Sequence, residues 1–137
     1  MDLVGSGPKL NFYDPTWPIY THRPVAPPAK LCSGGECGSL ELADCIVSPG
    51  CVISGSMVKE SVLSPGVSIR DAHVEQSILM DDVTVSPGAR VRRAIVAEGV
   101  AIPADTSIGY DLEHDRRRFV VTEDGIAVLP TRILLDQ

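Results

Sequence analysis

The chain has 137 residues and a formal net charge of −6, with 18 acidic side chains against 12 lysines and arginines. That balance excludes a surface built to hold nucleic acid by charge alone, and no run approaches the ~18 apolar residues that a membrane span requires. Gly (12) and Pro (11) are abundant while aromatics make up 4%, which fits one turn-rich β domain with an aliphatic core and short tails. The first residues carry neither the basic nor the apolar stretch of a secretory leader, so the chain reads as soluble and cytoplasmic.

In chain order, the start reads Met1-Asp2-Leu3 and then Gly5-Ser6-Gly7, as though following something upstream. Leu10–Thr21 holds the only Trp, one Phe and two of the three Tyr. Its Asp14-Pro15 and Trp17-Pro18 steps disfavour helix. An extended segment this aromatic is expected to be docked, either as a clamp along the core or against a further domain. Pro24–Pro28 is a stiff connection, and Ser33–Ser39 is a flexible Ser/Gly-rich loop. Residues 1–39 therefore read as linker and clamp. Leu40–Asp44 leads into the next unit and forms part of an incomplete first turn of it.

From Cys45 to Gly109 the sequence repeats itself four times: Cys45–Glu60, Ser61–Gln76, Ser77–Arg93 and Ala94–Gly109. Aligned, the copies give three aliphatic columns. They are Val47, Leu63, Leu79, Val96; then Ile53, Ile69, Val85, Ile102; then Val58, Val74, Val91, Ile108. Two residues before each stands a smaller or less bulky one, beginning with Cys45, Ser61, Ser77 and Ala94. Residues two apart in a strand face the same side, so each pair points inward. Three pairs per copy make a triangular coil, turned at corners such as Pro49-Gly50, Pro65-Gly66, Asp81-Asp82 and Glu98-Gly99. The predicted fold for residues 40–109 is all-β: a parallel β-helix of hexapeptide repeats, with about four to five coils stacked at roughly 4.7–4.9 Å. No unit in such a repeat buries its apolar face alone. A β-sandwich would not hold a six-residue register across all twelve positions.

Beyond the repeat, residues 110–137 read as a polar run, Tyr110–Arg117, followed by a hairpin and a tail. The hairpin pairs Arg118–Thr122 with Ile126–Leu129 around Glu123-Asp124-Gly125 and is expected to cap the last coils. One outward column is unusual: Ile46, Val62, Ile78 and Ile95 form an aliphatic strip on one face. Such strips mark contacts, so this face is expected to be covered by the hairpin, another subunit or a further domain. Cys45 and Cys51 occupy inward positions and read as packing residues. The spacing of Cys32 and Cys37 lacks the paired short gaps of a zinc site, and disulfides do not suit a cytoplasmic chain.

Tyr13-Asp14-x-x-Trp17-Pro18-Ile19, Pro27-Pro28-Ala29-Lys30, Ser48–Ser56, Asp115-x-Arg117-Arg118-Phe119 and Glu123-x-Gly125-Ile126 occur in collinear order. This set resembles the C-terminal domain of bacterial glucose-1-phosphate adenylyltransferases over nearly the whole chain. The resemblance implies left-handed winding, and a fragment of a two-domain enzyme that makes ADP-glucose and pyrophosphate from ATP and glucose 1-phosphate, with Mg²⁺, for glycogen synthesis. It places the chemistry in an N-terminal nucleotidyltransferase domain with a glycine-rich loop. No such loop occurs here, so the chain alone is expected to be catalytically silent, without a cofactor or metal of its own. Its expected role is to hold a dimer or homotetramer together and to relay sugar-phosphate and nucleotide effectors.

Phosphate effectors call for arginines. Arg132 matches a family arginine of the effector site, with Arg117 and Arg118 as further candidates. A second family arginine falls at Glu98, where a carboxylate would repel a bisphosphate and so argues against fructose 1,6-bisphosphate as activator. Other classes share the hexapeptide fold. An acyltransferase would use a histidine between subunits, for which only His73 lies on the coils. A γ-type carbonic anhydrase needs three gathered histidines, and His22, His73 and His114 are dispersed. A purely structural oligomerisation module is the remaining alternative.

Overall fold

The structure, a computed structural model, describes residues 2–20, 22, 24–33 and 38–131. A 3-10 turn at Asp2–Val4 precedes an irregular arm. Tyr13, Trp17 and Tyr20 of this arm are 80%, 64% and 87% exposed, so it is not clamped along the prism. Strands β1 (Lys30–Cys32) and β2 (Glu41–Ala43) make an incomplete coil, so β1 comes from the stretch read as linker. The first full coil is β3 (Ile46–Val47), β4 (Val52–Ser54) and β5 (Met57–Lys59). The second is β6 (Val62–Leu63), β7 (Ser68–Arg70) and β8 (His73–Glu75). The third is β9 (Ile78–Leu79), β10 (Thr84–Val85) and β11 (Arg90–Arg92), and the fourth β12 (Ala94–Val96), β13 (Ala101–Ile102) and β14 (Ser107–Ile108). Helix α1 (Leu112–Arg118) and the hairpin strands β15 (Val120–Val121) and β16 (Ala127–Leu129) follow.

Like elements stack on like elements in parallel, which gives three faces. The first face runs β3-β6-β9-β12 and continues through β16 to β15. The second runs β1-β4-β7-β10-β13, and the third β2-β5-β8-β11-β14. The registers are those of the repeat. Val47 pairs with Leu63 and Leu63 with Leu79; Ile53 pairs with Ile69 and Val58 with Val74. The chain is thus a left-handed parallel β-helix of four full coils, as the repeat and its resemblance predict. Of the twelve column aliphatics, all but Val47 are fully buried.

Corners must turn the chain without orphaning its polar groups. The third-to-first corner does so with one left-handed residue per coil: Asp44, Glu60, Gln76 and Arg93, with φ of 51°, 47°, 48° and 47°. That conformation costs a side-chain-bearing residue roughly 1–2 kcal/mol. In return its N–H reaches the coil below, as from Gln76 to the Lys59 carbonyl at 3.0 Å and from Arg93 to the Glu75 carbonyl at 3.1 Å. Small inward residues complete the work. The buried Ser77 hydroxyl donates to the Glu75 carbonyl at 2.8 Å and accepts from the Ala94 N–H at 3.2 Å. Ser56 does the same between Ser54 and Ala72. Gly109 ends the series at φ 83°, where a Cβ would fall on the Arg92 carbonyl.

The polar run 110–117 is where the structure adds an element. Asp111 caps α1 by accepting from the N–H groups of Glu113 and His114, both at 3.1 Å, and three arginines fill its last turn. These are the cap and charge preferences of a helix. The helix packs through a carboxylate: Asp115 is buried and accepts from the Gly109 N–H at 2.7 Å. Behind it the expected hairpin forms, with Val120 opposite Val128 and β16 lying parallel on β12. Arg93 ties the hairpin down through Nη2 to the Asp124 carbonyl at 2.7 Å.

Candidate functional site

The three faces differ in chemistry. The second presents small side chains: Val52, Ser68, Thr84 and Ala101 in register. The third is charged. Lys59 lies 2.9 Å from Glu41, and Arg92 lies 4.0 Å from Glu75. The Glu41 carboxylate, by hydrogen bond and charge, holds the Lys59 ammonium above its usual range. Both pairs are exposed, so they solvate the face more than they stabilise it. His73 stands here, exposed, with Met57 and Arg90 as its neighbours in register.

Only the first face is aliphatic. Ile46, Val62, Ile78 and Ile95 stand side by side, each half-buried by its neighbours. Cover by the hairpin, one of the expected arrangements, is not what forms. The hairpin lies beside the row and lengthens it: Val128 is in register with Ile95, and Val120 with Val128. Six β-branched side chains therefore run across one sheet. A groove of about 350 Å³ opens at its margin between Gln76, Ile78, Arg93, Ile95 and Ile126, a shape that accepts an apolar knob.

A second concavity, about 510 Å³, lies between α1 and the last second-to-third corner, Ala104–Ser107. Tyr110, Asp111, His114 and Arg118 form its helix side. Arg118 Nη1 is 3.5 Å from His114 Nε2, its guanidinium sits 5.1 Å over the Phe119 ring, and Arg90 stacks 4.4 Å over Tyr110. Asp105 and Asp111 also face the cleft, so its charge is mixed. Of the three arginines singled out from sequence, Arg118 enters this cleft. Arg117 lies exposed on α1 and is not part of the lining, and Arg132 lies outside the described residues. Glu98 is exposed at the first-to-second corner, a different edge of the prism from the cleft.

Cys32, Cys45 and Cys51 are free thiols. Burial pushes the Cys51 thiol above its ordinary range, and its Sγ lies 3.2 Å from the Ser64 carbonyl. Cys45 Sγ lies 3.1 Å from the Ala43 carbonyl. Both are spent on packing, and no three His, Cys, Asp or Glu side chains gather as metal ligands among the described residues. Sequence reasoning missed α1 and the two added valines of the row. The Asp111 cap was the available signal for the helix, and the register of β16 on β12 was needed for the valines. Among the described residues no helix is long and apolar enough to cross a membrane.

The geometry defines the class: a hexapeptide-repeat solenoid with one aliphatic face. Residues 27–129 match the GlmU-like C-terminal hexapeptide family, and the chain belongs to it. It is also similar to curated proteins named glucose-1-phosphate adenylyltransferase. The one from Rhodopirellula baltica is 48% identical over 134 residues, covering 94% of this chain and 30% of that relative. Those from Anaeromyxobacter sp. and Bifidobacterium longum are 47% and 42% identical, covering 95% and 99% of this chain but 32% and 33% of the relatives. The chain thus spans about a third of their length and corresponds to their C-terminal part.

Proposed function

We propose that this chain is the assembly and regulatory part of a glucose-1-phosphate adenylyltransferase working in the cytoplasm. The parent joins ATP and glucose 1-phosphate into ADP-glucose and pyrophosphate for glycogen synthesis. One observation carries the reading: relatives of that name match this chain almost end to end while extending well beyond it. Mg²⁺ is assigned to the remaining part of the parent, where the resemblance puts the chemistry. The domain's own contribution is mechanical. Its rigid prism presents the six-residue aliphatic row as a surface for a neighbouring subunit of a dimer or homotetramer. Arg118 and Arg117, with Arg132, supply cations for phosphate effectors, while Glu98 disfavours a bisphosphate.

The test is made on the full-length parent. Wild type is expected to release pyrophosphate from ATP and glucose 1-phosphate, and an Ile78→Lys/Ile95→Lys variant is expected to keep its fold but lose mass by light scattering. A parent that forms no ADP-glucose would overturn the reading. A variant that assembles normally would remove the first face from the assembly.

A further inference from the structure

Helix α1 packs on the hairpin strands β15 and β16 and meets the last coil through the buried Asp115 carboxylate. Pinned at that point, it stands off the corner Ala104–Ser107 and leaves the cleft of about 510 Å³ between them. Cavities that hold small molecules are of this size and combine an apolar surface with a few convergent polar groups.

The polar groups of the cleft are largely unspent. Among the described residues, the Asp105 carboxylate and the Ser107 and Tyr110 hydroxyls have no hydrogen-bond partner. Asp111 commits one oxygen, Oδ1, to the N–H groups of Glu113 and His114, both at 3.1 Å, so the start of α1 offers no anion site. Its other oxygen is left over. Carboxylates only accept, so a ligand held here brings donors.

The balance of charge decides which donors. A cationic amine would suit Asp105 and Asp111, but the Arg118 guanidinium borders the same space, 3.5 Å from the His114 ring. A bare anion would suit Arg118 and meet both carboxylates. Hydroxyl groups both donate and accept, so they satisfy the two signs together without a charge of their own. Set around a ring, they also bring a C–H face, and the Tyr110 ring supplies an apolar surface for it. Arg90, which is not part of the lining, steadies that ring from 4.4 Å.

We infer that this cleft binds a neutral sugar ring. Its hydroxyls donate to Asp105 and Asp111, exchange hydrogen bonds with Ser107 and Tyr110, and accept from Arg118. The same ring chemistry is offered by a free hexose and by the end of a saccharide chain. This site goes beyond the assembly and effector roles proposed for the chain and does not depend on them.

The test is made on the full-length protein, with glucose and maltoheptaose as probes and inorganic phosphate as a control. Amide hydrogen exchange over residues 103–118 and calorimetric titration are the readouts. Sugar at millimolar concentration is expected to slow exchange in that segment saturably. An affinity for maltoheptaose about tenfold above that for glucose assigns the site to a chain, and equal affinities assign it to a free sugar. Asp105→Asn/Tyr110→Phe removes a charged acceptor and a hydroxyl, while Asn tolerates the left-handed φ of 56° and Phe keeps the ring. This double variant should weaken sugar binding about tenfold at an unchanged thermal midpoint, and Ser107→Ala, a lighter and independent change, about threefold. No slowing by either sugar up to about 50 mM overturns the inference. So do affinities that both variants leave unchanged, because the sugar is then bound elsewhere. Inorganic phosphate that reproduces the slowing, and loses it in the double variant, also overturns it, because the cleft is then an anion site. Pyrophosphate release plays no part in these readouts, so the enzymatic reading stands or falls separately.

Discussion

Replacing Ser77 with alanine tests how the corners are held. The Ser77 hydroxyl has two partners, and they are not equivalent. The Glu75 carbonyl also accepts from the Arg93 N–H at 3.1 Å, so it stays satisfied when the hydroxyl is removed. The Ala94 N–H, buried with its residue, has the Ser77 Oγ at 3.2 Å as its partner and is orphaned. An unsatisfied buried donor costs about 1–3 kcal/mol, so that donor carries the loss. Two readouts apply: urea unfolding followed by circular dichroism, and hydrogen exchange at the Ala94 amide, which should accelerate roughly 5- to 150-fold for that energy. Ser77→Cys should lie between wild type and alanine, because sulfur is a weak acceptor and Cys45 fills this same column in the first coil. Ser107→Ala, on the exposed third face, should stay within about 0.5 kcal/mol of wild type. An unchanged Ala94 exchange rate together with an unchanged urea midpoint in Ser77→Ala would refute the assignment of the buried serines.

Gly109→Ala should destabilise by about 2–4 kcal/mol, combining a left-handed φ of 83° with a Cβ placed on the Arg92 carbonyl; a thermal midpoint equal to wild type would contradict the corner geometry. The raised Cys51 thiol sets an alkaline dependence. Its contribution is fully present below the unfolded-state value near 9.0 and is lost as pH rises through the higher folded value. Denaturation midpoints taken upward from pH ~8 should therefore fall less steeply in Cys51→Val than in wild type, and equal slopes would argue against a buried thiol.

The prism was legible because its signal is redundant. Leu63, Leu79 and their equivalents repeat the same step in four copies, so no single substitution hides the period. Helix α1 was illegible for the opposite reason. Helices are usually read from an apolar stripe, and the one buried residue of α1 is a carboxylate, Asp115, matched to a backbone N–H at the end of the last coil. That match exists only once the coil is folded. The aliphatic strip was visible at Ile46, Val62, Ile78 and Ile95, but Val128 and Val120 join it through the register of a parallel hairpin strand, which local pattern does not give.

The bonds that join the coils have a mechanical consequence. The corner contacts link residues 16 or 17 positions apart, one coil to the next. A force pulling the termini apart along the axis therefore meets one coil at a time, and the coils yield in series rather than together. The end closed by α1 and the hairpin resists first movement, while among the described residues the end at β1–β3 has no strand outside it on any face. Under load, or in the grip of an unfolding protease, this molecule should come apart like a spool paid out from that side, with the hairpin strands β15 and β16 the last thread to leave.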